Sequence, residues 1–218
     1  GIDGIMYAGP VADCLAAVKM AIDELQNKNN DIMIAGGANL DLSPNTFISF
    51  SKTPALSKTN KIKPFDADAD GMLLGDGVGM VVLKRLSDAE RDNDRIYATI
   101  IGVGSSSDGA SDSIYSPSKE GQQAAIERAW KSCGITGDSI DLFEAHGTGT
   151  AVGDKCEIES LSEMLSDSKS NKVVGSVKGQ IGHLRLAAGI ASLIKAALAS
   201  QPLYVQFYRY VSDLFHGD

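Results

Sequence analysis

Apolar positions in the first hundred residues switch between helical and extended spacing. In 15–25 they recur three or four residues apart, which predicts an amphipathic helix. The short apolar run 31–37 closes with paired glycines, which is typical of a buried strand that ends in a tight turn. Segments 77–83 and 95–103 are rich in branched or alternating residues, and the charged stretch 87–94 between them predicts a short helix. We therefore expect two adjacent strands joined by this helix.

From position 117 onward, helical and extended patterns alternate regularly. The predicted elements are helix 118–133, strand 140–145, helix 154–165, strand 172–176 and helix 184–199. This alternation predicts an α/β arrangement with a largely parallel sheet. The composition changes near 92–95, so we expect two parts, 1–92 and 93–218.

Composition sets the class of protein. With 218 residues and 43% hydrophobic content, the chain can bury a sizeable core. The net charge of −8 disfavours nucleic-acid binding, which needs clustered cations. The longest apolar stretch, 186–198, contains Ser192 and Lys195 and is shorter than the ~20 residues of a membrane span. No signal-peptide pattern is visible at the start, so we expect a cytoplasmic protein without a membrane span.

Three cysteines, Cys14, Cys133 and Cys156, are an odd number without C-x-x-C spacing. This pattern argues against a disulfide framework and against a zinc site. Cys133 lies near a predicted helix end and Cys156 on a first helical turn, where both are expected to be small packing residues.

Two of the three histidines occupy equivalent places in the predicted pattern. His146 follows strand 140–145 and is itself followed by three glycines, which allow a ligand to approach the backbone closely. His183 lies in a loop with glycines that opens helix 184–199. A single histidine of this kind is usually a partly buried structural side chain. Two in matched loops favour a functional site.

Three other kinds of site are excluded by spacing. Neither histidine has a partner at i+4 or a third metal ligand nearby. The run Gly-Val-Gly-Ser-Ser-Ser at 102–107 lacks the third glycine and the Lys-Ser/Thr pair of phosphate-binding loops. The run Asp-Ala-Asp-Ala-Asp-Gly at 66–71 begins like a calcium loop, but its twelfth position is Gly77 instead of glutamate. We interpret that run as a turn.

Three motifs carry a resemblance to a known family. They are Lys-Pro-Phe-Asp-x-x-Ala-Asp-Gly at 63–71, His-Gly-Thr-Gly-Thr-x-x-Gly-Asp at 146–154 and Gly-Ser-Val-Lys-x-x-Ile-Gly-His at 175–183. Together they resemble the β-ketoacyl synthases, in particular those of polyketide and polyunsaturated-fatty-acid synthases. The resemblance covers about 15–199 and implies a thiolase-like fold with layers αβαβα, of which this chain would cover roughly half. The incomplete C-terminal half would end in an anomalous tail after 201.

The resemblance also implies the roles of five residues. In the family, a nucleophilic cysteine opens the helix that corresponds to 15–25, but counting back from Leu15 puts Val11 at that position. Cys14 is the nearby thiol and hence the candidate nucleophile, because a helix N-terminus favours a thiolate. The last segment departs as well: 203–210 is an aromatic cluster without a family counterpart, and His216 is given no role.

The remaining implied roles concern decarboxylation of a malonyl thioester. His146 and His183 would donate hydrogen bonds to the thioester oxygen of the enolate, each worth ~3 kcal/mol. Lys178 and Glu157 match the supporting lysine and glutamate, which orient the histidines and set their protonation. The alternative is that Lys178 and Glu157 are ordinary charged residues on the surface.

The family resemblance implies decarboxylative Claisen condensation of a malonyl thioester with a cysteine-bound acyl chain. No cofactor is expected, since phosphopantetheine arrives on the acyl carrier protein. The partners are malonyl and acyl thioesters, and the chain is expected in a homodimer or a module of a larger synthase. Two alternatives are open: a catalytically silent partner subunit of the chain-length-factor type, and a thiolase-fold enzyme without decarboxylation.

Overall fold

The computed structural model of the chain describes residues 5–7, 13–107, 116–169 and 171–200. The predicted nucleophile position Val11, the aromatic cluster 203–210 and His216 lie outside these residues. The strands are β1 (Ile5–Tyr7), β2 (Ile32–Asn39), β3 (Gly77–Lys84), β4 (Leu142–Glu144) and β5 (Val173–Gly175). The helices are α1 (Asp13–Gln26), α2 (Pro44–Lys52), α3 (Leu86–Arg91), α4 (Lys119–Cys133), α5 (Ala151–Met164), α6 (Lys178–Ile181) and α7 (Ala188–Ala199). Short 3-10 turns are formed by Gly137–Ser139 and Arg185–Ala187.

The described elements form four successive layers. Strands β2 and β3 pair antiparallel, while β1, β4 and β5 form a parallel sheet in the order β1-β4-β5. Helices α1 and α7 lie between the two sheets, because α7 contacts strands of both and α1 packs on α7 and β2. Helices α4 and α5 cover the far face of the parallel sheet, where Ile126, Phe143 and Leu161 form a second core. The α/β pattern and the parallel sheet are thus confirmed.

Most predicted elements are present, with shifted ends. Helix 15–25 corresponds to α1, and 118–133 to α4. Helix 154–165 begins three residues earlier, at Ala151, and the predicted start of helix 184–199 is a 3-10 turn before α7. The sequence analysis missed α2, whose signal is Ser43 before Pro44: the Ser43 hydroxyl accepts the N–H of Thr46 as an N-cap.

The strand predicted at 95–103 is wrong. This segment pairs with neither of the two sheets, and most of it is exposed. Its end lies instead along α4, so closely that a Cβ atom at Gly102 would come within 2.9 Å of the Ala129 carbonyl oxygen. Branched residues favour a strand only when a neighbouring strand supplies hydrogen bonds, and among the described residues β3 has β2 as that neighbour.

The run predicted as a buried strand, 31–37, is buried on one face only. The inner face of β2–β3 packs on α1 and α7, where Gly79 leaves room for Ile190 and Ile194. The outer face of the two strands is exposed; it consists of Ile32, Ile34, Val78, Met80 and Val82. A continuous apolar run does not distinguish a strand covered on both faces from one covered on a single face.

None of the helices in the described ranges is both long and apolar enough to cross a bilayer.

Candidate active site

The His146 loop leaves the carboxyl end of β4 and turns sharply before α5. Its turn needs glycine, because Gly147 has φ of +43° and Gly149 has φ of +74°. A Cβ atom at Gly147 would also lie 2.7 Å from the Ser176 side chain. The Ser176 hydroxyl donates to the carbonyl oxygen of His146 at 3.1 Å. The two glycines therefore let this loop close onto the segment that follows β5.

His183 follows α6 and is held at three atoms. Its backbone N–H donates to Leu73 O at 2.7 Å, and its carbonyl accepts the Gly75 N–H at 3.1 Å. Its imidazole Nδ1 accepts the Arg185 N–H at 2.9 Å. Because Nδ1 is an acceptor, the proton of the neutral ring lies on Nε2 and is available for donation.

The two imidazoles meet. Their ring centroids lie 5.5 Å apart with the planes at 84°, so the edge of one ring faces the other. His183 is buried, and His146 is partly accessible. This distance brings together the two histidines that the sequence analysis assigned to one thioester oxygen.

The Lys178 side chain is completely buried, which excludes the alternative of a surface charge. Its Nζ donates to the carbonyl oxygen of His146 at 2.7 Å, so the lysine on one loop holds the backbone of the other. Burial lowers the pKa of Lys178 to about 8, although Glu157 and other acidic groups favour its charged form. A cation is therefore present next to the histidines at neutral pH.

Glu157 is buried on the first turns of α5. Its carboxylate accepts the backbone N–H groups of His146 at 2.7 Å and Gly147 at 2.9 Å. Burial raises the pKa of Glu157 to about 7, against the opposing effect of these two hydrogen bonds. Glu157 therefore orients the His146 loop through its backbone, whereas the resemblance implied only that it orients the histidines.

Both histidines are neutral in the pH range of most enzymes. Burial, followed by the charge of Lys178, lowers the pKa of His183 to about 3. The same two causes, with a contribution from His183, lower the pKa of His146 well below its usual value. Neutral imidazoles of this kind donate a hydrogen bond without carrying a charge into the site.

Asp154 is a buried residue to which the sequence analysis gave no role. Its carboxylate accepts the N–H of Phe65 at 2.7 Å and that of Gly149 at 3.1 Å. A third bond joins the Gly71 N–H to the carbonyl oxygen of Gly149 at 2.8 Å. Motif 63–71 is thereby fixed against motif 146–154. The sequence held a signal for Asp154, because this residue is the last of the motif at 146–154.

Cys14 lies at the start of α1, where the sequence analysis expected a thiol. It is buried, with 4% of its surface exposed, in the core between the sheets. Its Sγ accepts the N–H of Ile190 at 3.2 Å, on the first turn of α7, which has no side-chain cap. A Cβ atom at Gly189 would lie 2.9 Å from the same sulfur, so a side chain does not fit there. Cys14 is therefore packed and hydrogen-bonded as a core residue.

The other two cysteines lie outside this cluster. The Cys133 thiol donates to the carbonyl oxygen of Ala129 at 3.1 Å, within α4. Partial burial raises the pKa of the Cys156 thiol, which disfavours a thiolate. Within the described ranges, no three His, Cys, Asp or Glu residues are grouped as metal ligands would be.

Two family models match the chain. The model described as "Beta-ketoacyl synthase, N-terminal domain" matches residues 12–89, and "Beta-ketoacyl synthase, C-terminal domain" matches residues 97–205. Among curated proteins, a phenolphthiocerol/phthiocerol polyketide synthase of Mycobacterium tuberculosis is 46% identical over 191 residues. A polyunsaturated fatty acid synthase of Thraustochytrium is 42% identical over 193 residues. Each alignment covers 86% of this chain, but only 10% and 7% of the respective relative.

Solved structures give the same similarity. The ketosynthase from module 6 of the bacillaene synthase of Bacillus subtilis aligns with a TM-score of 0.83 and 38% identity. The alignment covers 87% of this chain and 35% of that chain. An oxazolomycin ketosynthase domain of Streptomyces albus aligns with a TM-score of 0.82, 31% identity and 87% coverage of this chain. The thiolase-like α/β fold expected from the sequence is thus confirmed.

Proposed function

The chain belongs to the β-ketoacyl synthase family, and we propose that it forms the part of a ketosynthase that decarboxylates a malonyl thioester. In the complete reaction, the resulting carbanion attacks an acyl group held on a cysteine. The protein would thus be an acyltransferase that performs a decarboxylative Claisen condensation.

The decarboxylation step makes a defined demand on the site. The bond between the malonyl methylene carbon and its carboxylate breaks, carbon dioxide leaves, and the electron pair moves into an enolate. Negative charge develops on the thioester oxygen, so donors aimed at that oxygen lower the barrier. The enolate carbon then attacks the acyl thioester, and the enzyme thiolate leaves.

The observation that carries the proposal is the pair of neutral imidazoles 5.5 Å apart. His183 has its Nε2 proton free for donation, because Nδ1 is occupied by the Arg185 N–H. Buried Lys178 adds a positive charge next to the histidines and holds the His146 backbone. A silent structural partner needs no such arrangement, so that alternative is not favoured.

Acyl transfer is the second half of the proposal. Cys14 is the candidate acceptor on α1, but its sulfur is buried and accepts a hydrogen bond from Ile190. Acylation at Cys14 would have to break that contact and open the core. We therefore expect slow acylation at this thiol compared with decarboxylation at the histidines.

The similarity to polyketide and polyunsaturated fatty acid synthases supports thioester substrates carried by an acyl carrier protein. We propose a carrier-bound malonyl group as the natural substrate, which is the finer assignment of a 3-oxoacyl-carrier-protein synthase. A homodimer and a place in a larger synthase also belong to this proposal.

The test is release of carbon dioxide from malonyl-N-acetylcysteamine by the full-length natural protein that contains this chain. The wild-type protein should release it, and His146→Ala should lower the rate by about 100-fold or more. The matched control is Gln123→Ala, on α4 outside the cluster, which should keep the wild-type rate. Equal rates for wild type and His146→Ala, or no release by a folded wild-type protein, would overturn the proposal.

A further inference from the structure

A buried ion pair lies directly behind the candidate site. Glu144 is the last residue of β4 and has no exposed surface. One carboxylate oxygen, Oε2, accepts from Lys195 Nζ on α7 at 2.6 Å. The other, Oε1, accepts the backbone N–H of Val177 at 2.7 Å. Both oxygens are therefore used, each by a different element of the fold.

The pair connects the two loops that carry the histidines. Glu144 precedes His146 by two residues, and Val177 directly precedes Lys178. In the sheet, Glu144 is opposite Gly175, and a Cβ atom at Gly175 would lie 3.5 Å from Lys195 Nζ, so Lys195 passes beside the end of β5. The Glu144 carboxylate thus bridges the end of β4 to the loop after β5, at the place where both loops start.

Lys195 stabilises the buried, ionised carboxylate of Glu144 that forms this bridge. A buried carboxylate without a cation costs several kcal/mol, so a nearby ammonium group is needed to keep it ionised in the core. The Lys195 side chain is itself partly exposed, and it reaches Glu144 from α7, the helix between the two sheets. The ion pair fixes the position of both loops relative to this central helix.

We propose that Glu144 and Lys195 are positioning residues for decarboxylation, which set the separation of the two histidine loops and the electrostatic environment of Lys178. The inference rests on the proposed function. Neither residue touches the reacting atoms; they act through the backbone of the loops and through charge.

The charge effect gives a readout that a purely structural role would not produce. Lys178 is faced by the carboxylates of Glu144, Glu157 and Asp154, by the sulfur of Cys14 and by the two imidazoles. Removing the negative charge of Glu144 favours deprotonation of Lys178. Lys195 lies 2.6 Å from the same carboxylate and offsets its charge, so removing this cation should have the opposite effect. The two variants should therefore shift the alkaline limb of the decarboxylation profile in opposite directions.

The experiment measures decarboxylation of malonyl-N-acetylcysteamine against pH in the full-length natural protein. For Glu144→Gln, whose amide oxygen still accepts the Val177 N–H, the alkaline limb should move to lower pH. For Lys195→Met it should move to higher pH. In both variants kcat should fall about tenfold, with KM changing by less than about twofold. Lys195→Arg keeps the cation and should restore the wild-type profile.

The outcomes separate this inference from the proposed function. If wild type does not decarboxylate, the proposed function fails. If wild type decarboxylates but both variants shift the limb in the same direction, or neither shifts it, the positioning role is wrong. Should Lys195→Met fail to fold, the isosteric Glu144→Gln decides alone: a downward shift supports the role, and an unchanged limb overturns it.

Discussion

The histidine cluster and the start of α1 differ in the kind of residues that surround them. Around His146 and His183, buried polar groups are hydrogen-bonded: Lys178 and Glu157 hold backbone groups of the His146 loop. At the start of α1, Cys14 is surrounded by apolar residues, and its sulfur accepts a weak hydrogen bond from the Ile190 N–H. The first region has the donors and the cation that the proposed decarboxylation requires, and the second has the contacts of a packed core.

This difference suggests that the two half-reactions depend on separate parts of the protein. Decarboxylation needs donors and a cation, and the loops after β4 and β5 supply both. Acyl transfer needs an accessible thiolate at a helix N-terminus. Variants of one region, measured for both half-reactions, therefore test whether the two regions act separately.

The largest effect is expected from His183→Ala. The variant loses one donor to the enolate oxygen, so decarboxylation should fall by about 10²–10³-fold. Transfer of an acyl group from a thioester should change far less, because it depends on the helix start. Carbon dioxide release and acyl transfer are measured in the same preparation of the full-length natural protein. Equal losses of both activities in a folded variant would contradict the separation.

A pH profile tests the buried cation. Since the pKa of Lys178 is lowered to about 8, the ammonium group is present below that pH and lost above it. Decarboxylation should therefore decline above pH 8, and His183 itself should contribute no limb near the usual histidine pKa, since it gains a proton only near pH 3. Lys178→Met should reduce the rate by roughly 10–100-fold.

The control for this prediction is Lys178→Arg, whose guanidinium stays charged. If it folds, its profile should lack the decline above pH 8. An unchanged alkaline limb in Lys178→Arg would assign that limb to another group. Lys155→Met, at an exposed position of α5, serves as the matched surface variant.

A smaller effect is expected from Glu157→Gln. The amide accepts one of the two N–H groups that the carboxylate holds, from His146 and Gly147, so the His146 loop should be positioned less well. The decarboxylation kcat should fall by about tenfold, with a smaller change in KM. Exposed Glu159→Gln, half a turn along the same helix, should match wild type. Equal kinetics for both variants would show that Glu157 does not position the His146 loop for decarboxylation.

The smallest effect on decarboxylation is expected at the other region. Cys14→Ala removes the acceptor for the buried Ile190 N–H, which should cost about 1–2 kcal/mol of unfolding free energy. Cys14→Ser keeps an acceptor but buries a hydroxyl among apolar residues, so it should cost a similar amount. Decarboxylation of both folded variants should match wild type, and urea unfolding gives the stabilities. A large loss of decarboxylation in Cys14→Ser would show that the two regions do not act separately.

The sequence predicted the local elements better than their environment. The spacing of apolar residues indicated α1, α4 and α7, because each helix buries one face. The same reasoning placed a strand at 95–103, where branched residues have a strand's composition but no described strand lies alongside. Strand pairing depends on a neighbouring strand, so the sequence of one segment alone does not determine it.

The candidate site shows the same limit at the level of residues. Glycine-rich loops marked His146 and His183, and the motifs indicated Lys178 and Glu157. The spacing did not show that Lys178 Nζ binds the His146 carbonyl, since this contact joins loops that are 32 positions apart. Glu144 lies within the predicted strand 140–145, but its partner Lys195 lies on another helix, and only the fold brings the two together.

The most direct test of the account combines both half-reactions in one sample. The full-length natural protein is incubated with an acyl thioester and malonyl-N-acetylcysteamine, carbon dioxide is measured, and intact-mass and peptide mass spectrometry locate any acyl group. We expect carbon dioxide release that requires His146 and His183, while the slow acylation of Cys14 leaves most of that thiol unmodified over the same time. Stoichiometric acylation of Cys14, or carbon dioxide release that survives the loss of both histidines, would contradict the account.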